Sequence, residues 1–366
     1  MKIHGITLEN FMLFDKLDTT FSPNVNIICG ENSTGKTALI KLLYACAKDA
    51  SDWEEKNSHR IPAEYSSKSD LNRKIASVFG LDWRTDISSL IKIPSNGTSH
   101  VSIEFEGEKE LKFSIDKSSS FGASRPIPIS VPSSVVYIPP KEMISATENF
   151  TSLYEEYHIS FDETYYDLAR LLDRPRKKNL VPEIQAIVER LEYMIGGSVR
   201  QQGKAFYLVQ EGVGELKMSL VSEGYRKLAT LINLAFTGSL SNGAVLFWDE
   251  PETNMNPRMM EPLVKAILAL ASVGVQVFII THDYFVQQYF GLAAEYGEKY
   301  LSGTGNLEYR FFSLSRTPEN GNTGALETVT LESAARLSEL EHNAIRDEFD
   351  AVYDREQGLI YGNDAE

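Results

Sequence analysis

The sequence predicts an α/β fold whose central strands are parallel. Three short apolar runs, rich in β-branched and aromatic residues, are typical of buried strands, and they cover residues 24–29, 244–248 and 274–280. Segments 37–47 and 262–272 repeat their apolar residues at helical spacing, which predicts helices after the first two runs. Because the carboxyl ends of parallel strands meet at one edge of a sheet, the polar residues that follow each run are predicted to lie together.

A phosphate-binding pattern follows the first apolar run. Residues 30–37 match G-x-x-x-x-G-K-[ST] completely and read Gly30, Glu31, Asn32, Ser33, Thr34, Gly35, Lys36 and Thr37. The glycines let backbone N–H groups converge on a phosphate, and the positive end of the following helix attracts the same anion. Lys36 is predicted to reach the β- and γ-phosphates, and the Thr37 hydroxyl to ligate Mg²⁺. The alternative is a glycine-rich turn that happens to precede a helix.

Two adjacent acids end the second apolar run. Residues 244–250 read AVLFWDE, so Asp249 and Glu250 stand at the carboxyl end of a strand, in the form of a Walker B element. We expect Asp249 to hold Mg²⁺ through a water molecule and Glu250 to orient and activate an attacking water. The alternative is a strand that ends in a charged turn.

A histidine and a serine complete the pattern. The helical segment 262–272 is long enough to return the third apolar run parallel and adjacent to the run that ends at Asp249, which would place His282 beside the γ-phosphate. The alternative is a structural histidine. Ser222 opens another helical segment, with Gly224 two positions later, and the alternative for Ser222 is that it only caps this helix.

The order of these motifs resembles the ABC-type ATPase head of RecF-like, SMC-like and OLD-type proteins. The resemblance rests on residues 30–37, 221–227, 244–250 and 281–282. Residues 250–252 and 254–257 are similar to those of the bacterial AAA-family ATPases in this branch, many of which are encoded in anti-phage defence operons. The resemblance implies an α/β P-loop NTPase with a mixed central sheet, an antiparallel β subdomain and a helical insertion lobe.

The resemblance also implies cofactors, partners and site roles. Ser222 and Gly224 would contact the γ-phosphate of an ATP molecule held by a second protomer, so a homodimer would enclose two ATP molecules with their Mg²⁺ ions. Residues 254–257 would couple the two sites. Glu250 would be the catalytic base and His282 the γ-phosphate sensor. A separately encoded effector protein, such as a nuclease, would respond to the conformational change.

Three features depart from the family pattern. The strand predicted at residues 135–138 leads into Pro139, Pro140, Lys141 and Glu142, without the glutamine that family heads usually carry there. Residues 150–200 hold no sustained heptads, which excludes a long coiled-coil rod. The segment after Asp283 is too short for the TOPRIM nuclease of OLD-type members.

The predicted organisation is a head followed by a tail. Residues 1–315 form the head, with helical insertions at 50–97 and 150–200. Residues 100–105 and 111–115 alternate apolar and polar residues, which predicts an antiparallel hairpin.

The remaining residues, 316–366, are predicted to form an acidic helical tail. Its apolar face carries Leu337, Leu340, Ile345 and Phe349. This face would cover the core of the head or dock a partner helix. The basic run at residues 174–178 has two interpretations as well, a solvated loop or a contact for phosphate or a partner.

Composition limits the classes of protein that remain. The chain of 366 residues has an ordinary globular composition and a formal net charge of −15, which argues against a surface that coats nucleic acid. Cys29 and Cys46 are interpreted as core residues rather than as a disulfide or zinc framework. With no export signal and no membrane span in the sequence, we expect a cytoplasmic protein.

The favoured hypothesis is a homodimeric ATPase that hydrolyses ATP to ADP and phosphate and changes conformation as it does so. By resemblance, it would be the ATPase component of a bacterial anti-phage defence system. The alternative is a RecF-like clamp that closes on DNA when it binds ATP, with residues 174–178 as its phosphate contacts. A kinase or GTPase would need an acceptor site or a guanine-reading N-K-x-D motif, and we find neither.

Overall fold

Three β-sheets and their helices make up the part of the chain that this computed structural model describes, residues 2–57, 68–82, 86–94, 97–107, 109–124, 134–157, 159–318 and 327–361. The strands are β1 (Ile3–Phe11), β2 (Phe14–Thr20), β3 (Val25–Gly30), β4 (Ser99–Phe105), β5 (Lys109–Ile115), β6 (Phe121–Ser124), β7 (Val135–Ile138), β8 (Ser198–Gln202), β9 (Ala205–Gln210), β10 (Gly214–Lys217), β11 (Val245–Asp249), β12 (Gln276–Ile280), β13 (Tyr309–Pro318) and β14 (Glu327–Ala334). The α-helices are α1 (Lys36–Asn57), α2 (Lys68–Phe79), α3 (Phe150–Tyr157), α4 (Glu163–Leu172), α5 (Pro182–Ile195), α6 (Glu223–Phe236), α7 (Met260–Ser272), α8 (Tyr284–Tyr296) and α9 (Ala344–Tyr361).

A six-stranded mixed sheet lies at the centre, in the order β14-β13-β3-β12-β11-β7. The strands from β13 to β7 are parallel, and β14 at the edge is antiparallel to its neighbour β13. Strands β3, β7, β11 and β12 are buried along their whole length, which explains why most of their residues are apolar. The prediction that the strand before His282 is parallel and adjacent to the Walker B strand is confirmed, with Asp249 opposite Ile280.

A five-stranded antiparallel sheet, in the order β2-β1-β4-β5-β6, forms a second layer. Its strand β4 alternates buried and more exposed residues, as expected when one face is packed and the other faces water. The predicted hairpin at residues 100–105 and 111–115 is confirmed as β4 and β5. Gln276 in β12 is fully buried and links the two sheets: its side chain accepts the Ile3 N–H and donates to the carbonyls of Ile3 and Ser22, each at 2.8 Å.

The helical lobe lies between β7 and β11 along the chain. Helices α3, α4 and α5 fall in the predicted segment 150–200, and α6 follows a small antiparallel sheet in the order β10-β9-β8. The other predicted insertion, 50–97, contains the end of α1 and all of α2, while its residues 58–67, 83–85 and 95–96 lie outside the described part. The predicted fold class, a mixed central sheet with an antiparallel β subdomain and a helical lobe, is confirmed.

Apolar residues cover both faces of the central sheet. Trp248 belongs to a core that includes residues of α5, α6, α7 and α8, whereas Phe247 belongs to a second core with α1, α2 and the antiparallel sheet. Successive residues of β11 therefore point to opposite faces, as the two-residue period of a strand requires. Cys29 and Cys46 are buried in the two cores, as the sequence indicates. Among the described helices, none is long and apolar enough to cross a bilayer.

The tail differs from its prediction. The prediction of a helical tail from residue 316 is wrong for residues 327–334. These residues form strand β14, which pairs with β13 and extends the central sheet. The residues Thr328, Val329 and Thr330 favour a strand because β-branched side chains suit a pleated surface, and Val329 packs against the core. The tail helix α9 begins only at Ala344.

Residues between β14 and α9 pack on the head itself. Leu337 and Leu340 are buried in the core that contains α8, so self-packing is confirmed for these two residues. No residue described in α9 is buried, and the Phe349 ring stacks on Tyr284 at a centroid distance of 4.1 Å. The division of the chain into a head and a tail stays a prediction.

Candidate nucleotide site

The loop between β3 and α1 has the backbone of a phosphate-binding loop. Gly30 has φ of 133°, and a Cβ at this position would lie 2.1 Å from the carbonyl oxygen of Leu314 in β13. Gly35 has φ of 91°, and its Cβ would lie 2.9 Å from the ring of Phe14. Both positions therefore require glycine. The first-turn N–H groups of α1 have no carbonyl partner within the helix, so they are available to an anion at this end.

The Lys36 ammonium lies inside this loop. The residue is 5% exposed, and its Nζ donates to the carbonyls of Gly30 at 3.0 Å and Glu31 at 2.5 Å. Burial lowers the pKa of Lys36 from its ordinary value, although the neighbouring acids Asp249 and Glu250 oppose the shift. A concentrated positive charge therefore stands where the loop would hold phosphate oxygens.

Asp249 is held by two hydroxyl groups. Its Oδ2 accepts from Thr37 Oγ1 at 3.1 Å and from Tyr137 Oη at 3.2 Å, and the residue is 1% exposed. Burial raises the pKa of Asp249 to about 6, and the two donors lower it in part. The second carboxylate oxygen, Oδ1, is buried and has no hydrogen-bond partner among the described residues.

These residues fit Mg²⁺ that arrives with a nucleotide. Mg²⁺ prefers oxygen ligands and is usually bound by one or two carboxylates together with waters and substrate phosphates. Thr37 Oγ1 and the unpaired Oδ1 of Asp249 are oxygens of this kind. The described residues contain no group of three or more histidine, cysteine or acidic side chains that could hold a metal alone, so waters and phosphate oxygens would complete the site.

Glu250 and His282 face each other at the same edge. Glu250 has φ of 49°, and its Oε2 accepts from Thr253 Oγ1 at 3.1 Å. Its Oε1 lies 3.8 Å from Nε2 of His282. Burial and the nearby Lys36 lower the pKa of His282 below its ordinary 6.5, while Glu250 raises it. At neutral pH the imidazole is therefore neutral, and one of its nitrogens carries a hydrogen that it can donate.

Glu252 holds the loop that carries His282. Its Oε1 accepts from Thr281 Oγ1 and from the His282 N–H, both at 2.8 Å. Burial raises the pKa of Glu252, and these two donors oppose the shift. The carboxylate therefore joins the turn after β11 to the residues after β12, which keeps Glu250 and His282 in register.

Residues 25–286 match the model of a protein family described as "AAA domain, putative AbiEii toxin, Type IV TA system". The chain belongs to this family. Its fold is similar to that of the SmcHead in a crystal structure with the C-winged helix domain of ScpA, with a TM-score of 0.52, 13% identity, and coverage of 92% of this chain and 99% of that one. The SMC head domain from Thermotoga maritima aligns with a TM-score of 0.46 and 15% identity over 90% of this chain and 98% of that chain.

Short stretches of the chain are also similar to the DNA replication and repair protein RecF. The protein from Halalkalibacterium halodurans is 49% identical over 47 residues, which is 13% of each chain. The protein from Staphylococcus aureus is 37% identical over 68 residues, or 18% of each chain. The chain thus matches less than a fifth of the length of these relatives. The family match, the fold and the short similarities together support the resemblance to an ABC-type ATPase head of the RecF and SMC type.

The predicted signature residues lie apart from the predicted P-loop. Ser222 precedes α6 and is exposed, and its hydroxyl makes no capping hydrogen bond, so the capping interpretation lacks support. Gly224 is buried, and a Cβ there would lie 3.2 Å from Cγ of Met255. In the described part of the chain, no hydrogen bond joins either residue to residues 30–37. The structure thus brings the predicted P-loop, Walker B and histidine residues together and leaves the signature residues outside this group.

Sequence patterns assign no role to three residues that the structure places at the site. Tyr137 is the one polar side chain in the run VVYI, Glu252 is the third acid after β11, and Lys227 is a cation within the buried face of α6. A polar residue inside an apolar pattern is a signal for each of them. The signal does not show which residue each of them bonds to, because the hydrogen-bond partners come from distant parts of the chain.

Proposed function

We propose that this chain hydrolyses ATP as a dimer in which two ATP molecules lie between two heads. The observation that carries the proposal is the meeting of Lys36, Thr37, Asp249, Glu250 and His282 at one edge of the central sheet. Because Ser222 is exposed and bonded to none of them, its position supports a contact with nucleotide on a second copy rather than on its own.

The residues of each head would divide the work of hydrolysis. Lys36 would exchange the carbonyls of Gly30 and Glu31 for phosphate oxygens and neutralise their charge. Thr37 and Asp249 would hold Mg²⁺, which when bound supplies further neutralisation of the phosphates.

Glu250 would orient the attacking water and accept its proton. The carboxylate lies 3.8 Å from Nε2 of His282, whose neutral imidazole can donate to the γ-phosphate. Since phosphoryl transfer needs little covalent help from the protein, positioning and charge neutralisation would provide most of the rate.

The product of this cycle would be a conformational change that a separate protein reads. Within the site, the described residues suit phosphate chemistry alone. The family description names a toxin of a type IV toxin–antitoxin system, and such a system has two components, which supports a separately encoded partner. From the resemblance to ATPases of anti-phage defence operons, we propose a defence role with an effector such as a nuclease.

A RecF-like DNA clamp is the second candidate, and the similarity to RecF favours it. One cation of the basic run 174–178 is not available to contact DNA phosphates. Arg176 donates to Val199 O at 2.7 Å and to Asn233 Oδ1 at 3.0 Å, so it is engaged within the lobe. Arg174 and Lys178 are exposed. The net charge of −15 counts against a large DNA-binding surface.

Steady-state ATP hydrolysis by the wild type and Glu250→Gln, with the oligomeric mass measured with and without ATP, tests the proposal. We expect the wild type to turn over, and the variant to lose hydrolysis and accumulate as an ATP-bound dimer. If neither protein hydrolyses ATP and no ATP-dependent dimer forms, the proposal is wrong.

A further inference from the structure

The turn that follows β11 has a backbone that must be held in place. Glu250 has φ of 49° and Asn254 has φ of 61°, both in the left-handed region. Residues other than glycine adopt this region at an energetic cost, so such conformations persist where neighbouring groups stabilise them. The first of these residues carries the carboxylate that we assign as the base.

The N-terminal turns of α6 supply the neighbouring groups. Asn254 Nδ2 donates to Glu223 Oε2 at 3.0 Å, and Gly224 allows the close approach of Met255. Lys227, one turn further along, donates from Nζ to Glu250 O at 3.0 Å and reaches Pro251 O at 3.5 Å. These contacts all run from the signature end of α6 to residues 250–255.

Burying the charge of Lys227 at this position is energetically unfavourable. It is 1% exposed, and its ammonium donates to backbone carbonyls rather than to a carboxylate. Burial lowers the pKa of Lys227, although nearby acids, Glu223 first among them, oppose the shift. Since an apolar side chain of similar volume would fill the space without burying a charge, stability alone does not explain the lysine.

We propose that Lys227 is a positioning residue for Glu250. By holding the Glu250 and Pro251 carbonyls, the ammonium keeps the left-handed turn that directs the Glu250 side chain to the site. It also makes the start of α6 and residues 250–255 move as one unit. This inference rests on the proposed function: when Ser222 of one head engages nucleotide on the other, the shift of α6 repositions that head's own Glu250.

The test compares Lys227→Met, which keeps the length of the side chain and removes the donor, with Lys227→Arg, which keeps a donor. For Lys227→Met we expect kcat to fall about tenfold to a hundredfold, as displacement of a catalytic group by about 1 Å does, with the KM for ATP unchanged. Lys227→Arg should recover part of kcat. The control is Lys265→Met on α7, which removes a partly exposed ammonium paired with Glu261 and should leave kcat unchanged.

A second readout does not depend on hydrolysis. The amides of Thr253 and Met255 donate to Glu250 O at 3.3 Å and Glu252 O at 2.9 Å. In Lys227→Met they should exchange hydrogen faster than in the wild type, while the amides of β11 and β12 keep their rates. Unchanged exchange at residues 253 and 255 would overturn the inference, and so would a raised KM for ATP with kcat unchanged. If the wild type itself hydrolyses no ATP, the proposed function fails and the exchange rates still decide the role of Lys227.

Discussion

The hydroxyl of Tyr137 donates to Oδ2 of Asp249 across a distance of 3.2 Å, and both groups are buried. The phenol comes from β7, the strand after which this chain lacks the glutamine of related heads. It leaves Oδ1 of Asp249 as the oxygen available to a metal ion. Tyr137 therefore orients the carboxylate from the strand itself rather than from the loop that follows.

Tyr137→Phe should raise the Mg²⁺ concentration that ATP hydrolysis requires. Removing an outer hydrogen-bond partner of a metal ligand typically costs about tenfold to a hundredfold in metal affinity. We expect the Mg²⁺ concentration for half-maximal ATP hydrolysis to rise by about tenfold.

The matched control is Tyr44→Phe. This buried phenol on α1 donates to Asp167 Oδ2 at 2.6 Å, so its loss removes a similar hydrogen bond away from Asp249. An unchanged Mg²⁺ dependence in Tyr137→Phe, or an equal shift in both variants, would contradict the assigned role.

Asp249→Asn should stabilise the nucleotide-free protein at neutral pH. Burial raises the pKa of Asp249 from 3.8 to about 6, so the folded state binds this proton more tightly than the unfolded state. Stability from this group is therefore lost as pH rises from about 4 to 6, and the loss is complete above that range. Urea unfolding at pH 7.5 should show the variant to be more stable by about 1–3 kcal/mol.

The difference between Asp249→Asn and the wild type should shrink when unfolding is repeated at pH 4.5. A variant that is less stable than the wild type at pH 7.5 would show that the ionised carboxylate is favourable in the fold. The same variant should also lose ATP hydrolysis, because its amide is a poor ligand for Mg²⁺.

Gly30→Ala should destabilise the fold by more than about 2 kcal/mol. The added Cβ would meet the Leu314 carbonyl oxygen at 2.1 Å, and the φ of 133° is unfavourable to any residue with a Cβ. Gly203→Ala is the control, since Gly203 has φ of 60° and no atom within 4 Å of a Cβ. It should cost about 1 kcal/mol, from backbone strain alone. If denaturant unfolding shows the same loss of stability in both variants, β13 moves to accommodate the Cβ without cost.

Charge reversal at Arg174 and Lys178 separates the two candidate functions. Both side chains are exposed. Under the ATPase proposal, the double variant to glutamate should hydrolyse ATP at the wild-type rate and should show the same affinity for DNA as the wild type. A wild type that binds duplex DNA in an ATP-dependent manner, together with a double variant that does not, would favour the clamp. Fluorescence anisotropy at two salt concentrations provides the measurement.

Local patterns predict most of this site because each motif is continuous along the chain. The run 244–250 contains both the apolar strand and the acids at its end, and residues 30–37 contain the whole loop. The confirmed neighbour relation between β11 and β12 follows from the length of the helix that connects them. Such inferences need no knowledge of distant residues.

Other features depend on pairing between distant segments, which local patterns do not determine. The apolar residues of the tail are compatible with a helical face, yet Val329 pairs opposite Arg316 because β13 offers a free edge. The partners of Tyr137 and Lys227 are likewise set by how β7 and α6 meet β11. A single sequence shows that these residues are polar in apolar surroundings but not what they touch.

The phosphate-binding loop depends on segments that are far apart in the chain. Strand β3 lies between β12 and β13, and the Glu31 N–H donates to the carbonyl of Leu314. On the ribosome, residues 30–37 are made long before the strands that flank them. Segments so far apart in sequence also find one another slowly. A nascent chain thus has no finished candidate site until synthesis has passed residue 314, and the proposed ATP binding would mark a copy whose central sheet is already assembled.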